Sequence, residues 1–424
     1  MKNIIVQKFG GTSVADTDKI KNVAKVILKE RNNGHDIVVI VSAMGHTTDH
    51  LLKLASDINS SPNPRELDML LSTGECVSAS LLAMALQAEG VNAVSLNAAQ
   101  AQIITENIHG SARILDIKSE YILKHIKAGK IVIITGFQGV CDDNEITTLG
   151  RGGSDTSAVA VAAAINATRC DIYTDVEGVY TTDPRVVPNA SKIDEISYEE
   201  MLELARVGAN VMHPRSVETA KQYNMPLRVR SSFNTDNLGT LILGVENMEI
   251  RRTVTGVAAD LSQLRIVVCD VPDVPGNAAK IFDRLAKEGI SVDMIIQSYA
   301  RKNSNTNDIA FTVDKKELSR TQTVLDDLKS VLNYSHIHVD DKIAKVSIVG
   351  AGMIDRPGIA AMMFKTLADN DINIKMISTS EIIISCLVDA ECSKLAVKAL
   401  HEAFELGCDS IADVKGTLPD EKEI

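Results

Sequence analysis

Ile4-Ile5-Val6-Gln7-Lys8-Phe9-Gly10-Gly11-Thr12-Ser13 is a run of buried-strand character that breaks at two glycines. Residues 3–9 read as a strand, and 17–31 carry the spacing of an amphipathic helix, so the glycine pair joins a strand end to a helix start. Glycines there let an anion approach the backbone, N–H groups at a helix start attract phosphate, and Lys8 adds a mobile positive charge. Alone, a Gly-Gly pair is also ordinary turn chemistry. The chain has no Walker A pattern and no Gly-x-Gly-x-x-Gly, which argues against a P-loop nucleotidase and a dinucleotide-binding dehydrogenase.

Outward from this turn the alternation continues to about residue 245. Strand-like runs recur at 36–41, 130–135 and 170–174, with helix-like stretches at 65–89 and 154–166. The pattern predicts an α/β fold with a mostly parallel sheet between helices and ligands outside the carboxyl ends of the strands. A second glycine cluster, Thr147-Thr148-Leu149-Gly150-Arg151-Gly152-Gly153-Ser154-Asp155, precedes a helix. Ser154 or Asp155 suits a helix cap, yet three glycines around an arginine exceed what a cap needs and suit a carboxylate or phosphate receptor. The polar loop Tyr173-Thr174-Asp175-Val176-Glu177-Gly178-Val179-Tyr180-Thr181-Thr182-Asp183-Pro184-Arg185 follows a strand at the same edge. Ser72-Thr73-Gly74-Glu75 and Ser42-Ala43-Met44-Gly45 lie in comparable contexts, where each reads as a turn or cap when taken singly.

After about residue 250 a repeat takes over. Pro275-Gly276 recurs as Pro357-Gly358, Leu285-Ala286 as Leu367-Ala368, and Ile290, Met294 and Ile295 as Ile372, Met376 and Ile377, all 82 residues apart. Each copy reads strand (263–268, 345–350), Pro-Gly turn, helix (277–287, 359–370), strand (290–298, 372–379) and a further strand (308–313, 381–388). Chance similarity of two amphipathic helices explains the apolar matches but not the coincident turns, so two copies of one α+β module are expected.

Composition narrows the function classes. A length of 424 residues predicts two to three domains, and 45% hydrophobic with 24% charged residues is ordinary for a folded chain. The net charge of −12, with no basic face, argues against nucleic acid or an anionic membrane as partner. The apolar run 158–165 is too short to span a bilayer, and the start lacks a signal-peptide core. Seven cysteines without a Cys-x-x-Cys pair argue against a disulfide framework or zinc site and fit a reduced, cytoplasmic setting.

Taken together, Lys8-Phe-Gly-Gly-Thr-Ser, Ser72-Thr-Gly-Glu75, Gly136-Phe-Gln-Gly139, Thr148-Leu-Gly-Arg-Gly-Gly-Ser-Asp155, the 174–185 loop and Arg228-Val-Arg-Ser-Ser232 resemble the aspartate kinases of the amino-acid kinase superfamily, in the single-function form with two C-terminal ACT (ferredoxin-like) domains. The resemblance covers essentially the whole chain. It implies a catalytic domain at 1–245 and ACT domains at 250–335 and 340–420, with strand exchange between the ACT units. It implies phosphoryl transfer from ATP with Mg2+ to the side-chain carboxylate of L-aspartate, the entry to lysine, threonine, methionine and diaminopimelate synthesis. A carboxylate nucleophile of pKa ~3.9 is ionised at neutral pH and needs no general base. Positioning and positive charge must then carry the catalysis, and the metal is held mainly by the phosphates.

By the same resemblance the catalytic residues are Lys8, Arg151 and Asp155, with Lys8 on the phosphates and Asp155 orienting it. Phe9, Gly10, Gly11, Ser42, Ser154, Tyr173, Thr174, Asp175, Tyr180, Asp183 and Arg185 fall in the ATP site. Thr47, Thr48, Glu75, Arg151, Gly152, Gly153 and Ser154 fall in the aspartate site, where Glu75 takes the ammonium group and Arg151 a carboxylate. His46 departs from the acidic or small residue of relatives and reads as a solvated loop residue. Asp273, Pro275, Gly276, Asn277, Ala278, Asp293 and Gln297, with Asn373, Ile374, Ser380 and Glu381, match effector positions for lysine, threonine or both; Ala360 stands where some jointly controlled relatives have a hydroxyl. The resemblance further implies a dimer or larger homo-oligomer through the ACT domains, and a regulatory subunit starting near Met248 is a further expectation. Rival readings are an acetylglutamate or glutamate 5-kinase, and a catalytically inactive amino-acid sensor.

Overall fold

The computed structural model describes residues 3–209, 211–244, 252–298, 305–354 and 356–407. Met248 therefore lies outside the described residues. The first part runs β1 (Ile4–Phe9), α1 (Thr17–Asn32), β2 (Asp36–Val41), α2 (Thr47–Ile58), α3 (Pro64–Leu71), α4 (Thr73–Ala88), β3 (Ala93–Leu96), β4 (Ile103–Thr105), β5 (Ile114–Ile117) and α5 (Glu120–Lys127). It continues through β6 (Ile131–Thr135), β7 (Gln138–Val140), β8 (Ile146–Thr148), α6 (Gly153–Ala164), β9 (Arg169–Thr174), β10 (Glu195–Ser197), α7 (Tyr198–Arg206), α8 (Pro214–Gln222), β11 (Leu227–Ser231) and β12 (Thr240–Leu243).

The main sheet has the order β10-β12-β11-β9-β1-β2-β6-β3. All its pairings are parallel except β11 with β12. Both faces are covered, which is why the central strands read as unbroken apolar runs. Alternation along β1 assigns the faces: Ile4 and Val6 pack with Ala158, Val159 and Val161 of α6, whereas Ile5 and Phe9 pack with Ile20, Val23 and Ile27 of α1 and Leu82 and Leu86 of α4. Lys8 shares the α6 face of the strand with Ile4 and Val6 by the same alternation. A smaller sheet, β5-β4-β7-β8, leads into the glycine cluster.

The helix expected over 65–89 is two helices that break at Ser72. There the hydroxyls of Ser72 and Thr73 bond back to the Met69 and Leu70 carbonyls at 2.8 and 2.7 Å, in place of the helical amides, and the buried amide of Gln138 donates to the Ser72 carbonyl at 2.9 Å. The tandem Pro64–Ala88 is long and apolar enough to cross a membrane, but half of that window is buried inside the protein, as in a core helix.

The second part runs β13 (Gly256–Asp260), β14 (Gln263–Pro272), α9 (Asn277–Lys287), β15 (Ile295–Gln297), β16 (Thr306–Asp314), α10 (Leu318–Leu332), β17 (His336–Asp340), β18 (Ile343–Val349), α11 (Ile359–Asp369), β19 (Met376–Thr379), β20 (Ile383–Asp389) and α12 (Ser393–Ala403). These strands form two sheets, β15-β16-β14-β17 and β13-β18-β20-β19. β13 precedes the first repeat in sequence yet pairs with β18 of the second. The glycines of the two Pro-Gly turns share one conformation: Gly276 has φ +98° and Gly358 φ +100°, each capping the following helix, α9 or α11. Both values lie in the left-handed region that glycine adopts without strain. The strands expected over 290–298 and 372–379 are shorter, Ile295–Gln297 and Met376–Thr379. Asp293 and Met294 still bond to Thr312 on the neighbouring strand β16, so the preceding chain runs on beside it without forming a regular ladder.

Candidate active site

Strand register gathers the quoted motifs at one edge of the main sheet. Phe9 lies opposite both Val41 and Tyr173, Val41 opposite Thr135, and Thr174 opposite Ser231. The segments that follow, Gly10-Gly11, Ser42 to Gly45, Gly136-Phe137 and Asp175, all leave this carboxyl edge, where ligands of open α/β sheets bind.

Lys8 Nζ forms an ion pair of 2.7 Å with Asp155 Oδ1 from the first turn of α6, and the side chains are 11% and 15% exposed. Face alternation puts the amine on the α6 side, and the helix supplies the carboxylate. A methyl group on Gly10 would stand 3.5 Å from Lys8 Nζ, so the glycine leaves the ammonium accessible beside the backbone. One on Gly11 would lie 2.9 Å from the Ala43 carbonyl oxygen, tighter than packing allows, and Gly45 N–H donates to the Gly11 carbonyl at 3.0 Å. The two loops therefore lock together.

Glu75, in the first turn of α4, is 3% exposed. Its Oε1 accepts the Ala43 N–H at 3.1 Å, whereas Oε2 has no hydrogen-bond partner among the described residues. Burial pushes its pKa up from the ordinary 4.5 to about 7. A buried carboxylate oxygen without a partner is a costly arrangement that an incoming ammonium group would relieve. Thr47 and Thr48 open α2 close by, and Thr47 Oγ1 donates to the Met44 carbonyl at 2.6 Å. His46 is exposed beside Asp49.

Arg151 is exposed, with no hydrogen bond or ion pair among the described residues, between Gly150 at φ +75° and Gly152 at φ +68°. Its loop is clamped on both sides. Asp68, 1% exposed, accepts from Thr148 N–H (3.0 Å), Thr148 Oγ1 (2.6 Å) and Gly110 N–H (3.0 Å) and pairs with His109 (2.9 Å). The Arg215 guanidinium donates to the Leu149 carbonyl at 2.8 Å and the Ala112 carbonyl at 2.6 Å. A Cβ on Gly152 would lie 2.3 Å from His213, whose imidazole burial holds below the ordinary 6.5. Ser154 lies beside Gly136, and Phe137 carries φ +68°, a rare conformation for a bulky residue. His213, Arg215 and Asp68 escaped sequence reasoning; only the His213-Pro214 helix-start signal was there to find, because their roles depend on contacts distant in the chain.

The residues expected in the ATP site divide. Gly10, Ser42, Ser154, Thr174 and Asp175 follow or flank the carboxyl edge. The Phe9 and Tyr173 rings instead point to the α1 and α4 side, fully buried and stacked with centroids 4.6 Å apart. Those two rings are not available to a ligand at this edge, and only their backbone reaches it, with Gly10 N–H donating to the Tyr173 carbonyl at 3.4 Å. Tyr180 is half-buried farther along the loop. Arg185 binds Asp183 through Nε and NH2 (2.8–3.1 Å), and although burial opposes it this pairing holds the Asp183 carboxyl below its ordinary value.

In the repeats, Asp273, Pro275 and Gly276 form an exposed turn, with Asn307 donating to Asp273 at 3.0 Å. Asn277 is buried and donates to the Pro272 carbonyl at 2.9 Å, with Ala278 beside it at the start of α9. Asp293 is ion-paired with Lys345 of β18, so its carboxylate is not free. Gln297, Asn373, Ser380 and Glu381 are exposed and Ile374 is half-buried.

A parallel sheet with a lysine–carboxylate pair at a glycine-lined edge, followed by two α+β modules, defines an amino-acid kinase carrying ACT modules. The amino acid kinase family model matches residues 3–231, and ACT domain models match 265–333 and 346–404. The chain is 51% identical to aspartokinase 2 of Bacillus subtilis (strain 168) over 403 residues, 95% of this chain and 98% of the relative. Escherichia coli aspartokinase III in complex with aspartate and ADP (R-state) matches with TM-score 0.81 and 28% identity, covering 95% of this chain and 100% of the other. The same enzyme in complex with lysine and aspartate (T-state) matches with TM-score 0.75 and 29% identity, covering 95% and 99%. The chain belongs to the aspartokinase family.

Proposed function

We propose that this chain transfers the γ-phosphoryl group of MgATP to the side-chain carboxylate of L-aspartate, giving 4-phospho-L-aspartate and ADP. The Lys8–Asp155 pair at the end of β1 carries the reading, supported by the partnerless oxygen of Glu75 behind the same edge. Lys8 stabilises charge on the transferring phosphoryl group while Asp155 holds its amine in place. The amides of Gly10 and Gly11 lie along the phosphates, and Mg2+ enters with the nucleotide. Glu75 takes the aspartate ammonium group, Arg151 takes a carboxylate, and Thr47, Thr48, Gly152, Gly153 and Ser154 shape the seat. Thr174, Asp175, Tyr180, Asp183 and Arg185 border the nucleotide, and Phe9 and Tyr173 contribute through their backbone.

Residues 1–245 form the catalytic unit, and the segments 250–335 and 340–420 form the sensing units, with β13 exchanged into the second. Effector amino acids, lysine or threonine, bind at the Asp273–Ala278 turn and the Gln297 strand and at Asn373, Ile374, Ser380 and Glu381. An effector ammonium at Asp293 has to displace Lys345. Edge strands β15 and β19 present exposed Ile295 and Ile377, which suits pairing of two copies in a cytoplasmic homo-oligomer. Trapping the acyl phosphate with hydroxylamine tests the reading. Product that depends on ATP and L-aspartate is expected, and turnover with N-acetylglutamate or glutamate instead, or with no acid at all, would replace it.

A further inference from the structure

Thr181 lies in the middle of the loop that bears Tyr180, Asp183 and Arg185, and it is 1% exposed. Its N–H donates to the Ser191 carbonyl (2.9 Å), and its carbonyl accepts the Val257 N–H of β13 (2.7 Å). The hydroxyl accepts the Ser191 N–H (3.0 Å), donates to the Leu406 carbonyl (3.2 Å) and lies 2.9 Å from His401 Nε2 of α12. A hydroxyl has one proton and two lone pairs. Leu406 takes the proton and Ser191 one lone pair, so the contact with His401 is complete when Nε2 carries hydrogen and donates. His401 is 2% exposed, burial lowers its pKa from 6.5, and in the neutral ring the contact selects the tautomer with hydrogen on Nε2.

The same loop is tied to α12 by apolar contacts. Val187 is buried in one cluster with Val397, Leu400 and Leu406, and Ala190 bridges to Gly407. The far half of the loop is thereby part of the core of the second ACT sheet, although its near half leaves the catalytic edge. Resting on the nucleotide reading of this loop, we propose that His401 is a positioning residue for nucleotide binding: by fixing Thr181, α12 of the second ACT unit sets the conformation of residues 174–185. Neither residue touches the reacting atoms.

The test compares His401→Phe and Thr181→Val with the conservative His401→Gln, which keeps an N–H donor, and Thr181→Ser, which keeps the hydroxyl. The disruptive variants are expected to raise the KM for ATP about tenfold, the scale of one orphaned buried hydrogen bond, with the KM for aspartate unchanged. The conservative pair should restore the ATP value. Equal rises in both KM values, an unmoved ATP KM, or Gln behaving as Phe does would overturn the inference. If Thr181→Val fails to fold, the Gln and Phe pair at His401 decides alone. Calorimetric titration of each variant with ADP keeps the two readings apart. A wild-type chain that binds ADP without phosphorylating aspartate would end the kinase reading, yet weaker ADP binding in His401→Phe would still uphold the clamp.

Discussion

At the scale of single residues, the proposed role of Glu75 joins substrate recognition to pH. Its carboxylate must be ionised to pair with an ammonium group, and burial raises its pKa to about 7. The kcat/KM for aspartate is therefore expected to rise with pH through about 7 in the free enzyme, and Glu75→Gln should flatten that limb while raising the KM for aspartate. A pH profile unaltered by the substitution would remove Glu75 from the site. The stability linkage has the opposite sign: the folded state holds this proton more tightly than the unfolded chain, so the contribution of Glu75 falls as pH climbs from 4.5 to about 7. Lys8, Arg151 and Asp155 stood out because their glycine-rich motifs lie between a strand and a helix, whereas Glu75, within a stretch that reads as helix, was singled out only by the family resemblance. The orientations of Phe9 and Tyr173 were less legible, because a motif names a residue without naming its face. Alternation from Lys8 does give the answer for Phe9, its immediate neighbour, which must point to the opposite side of the sheet.

At the scale of elements, α3 holds the loop that opens α6. The Asp68 carboxylate accepts from two groups of Thr148 and one of Gly110, and its position fixes where Arg151 emerges. Asp68→Asn turns one acceptor into a donor that faces other donors. It is expected to raise the KM for aspartate about tenfold with little change for ATP, as one buried hydrogen-bond mismatch would. Equal effects on both substrates would show general loosening instead. The β/α alternation and the start of α9 at Asn277 were readable from periodicity and turn chemistry. The break at Ser72 was not, because Ser and Thr hydroxyls bond back to a carbonyl inside unbroken helices too, as Thr321 and Thr366 do, so their presence does not mark an end. Nor was the pairing of β13 with β18, since a strand's apolar pattern states that it pairs but not with which partner.

At the scale of the whole molecule, Glu200 of α7 is, beside Thr181, a second point at which the part matched by the amino acid kinase model meets the ACT part. Its Oε1 accepts the Thr255 hydroxyl (2.6 Å) and the Ala351 N–H (2.8 Å), while Oε2 closes the capping box with Ser197. Glu200→Ala leaves the buried Ser197 donors and the half-buried Thr255 and Ala351 donors without this acceptor, and a loss of about 2 kcal/mol is expected in denaturant unfolding. Weaker inhibition by lysine or threonine should accompany it, because coupling between sites needs an element that both units share. Unaltered stability and inhibition would place the junction elsewhere. Central to the whole is the claim that Lys8, held by Asp155 beside Gly10, lets two anions react. The most direct measurement is kcat of Lys8→Ala in the ATP- and aspartate-dependent hydroxamate assay, with folding confirmed by its melting curve. A fall of at least ~100-fold is predicted, the order for removing one preorganised donor to a transition state, and near-normal turnover would contradict the account.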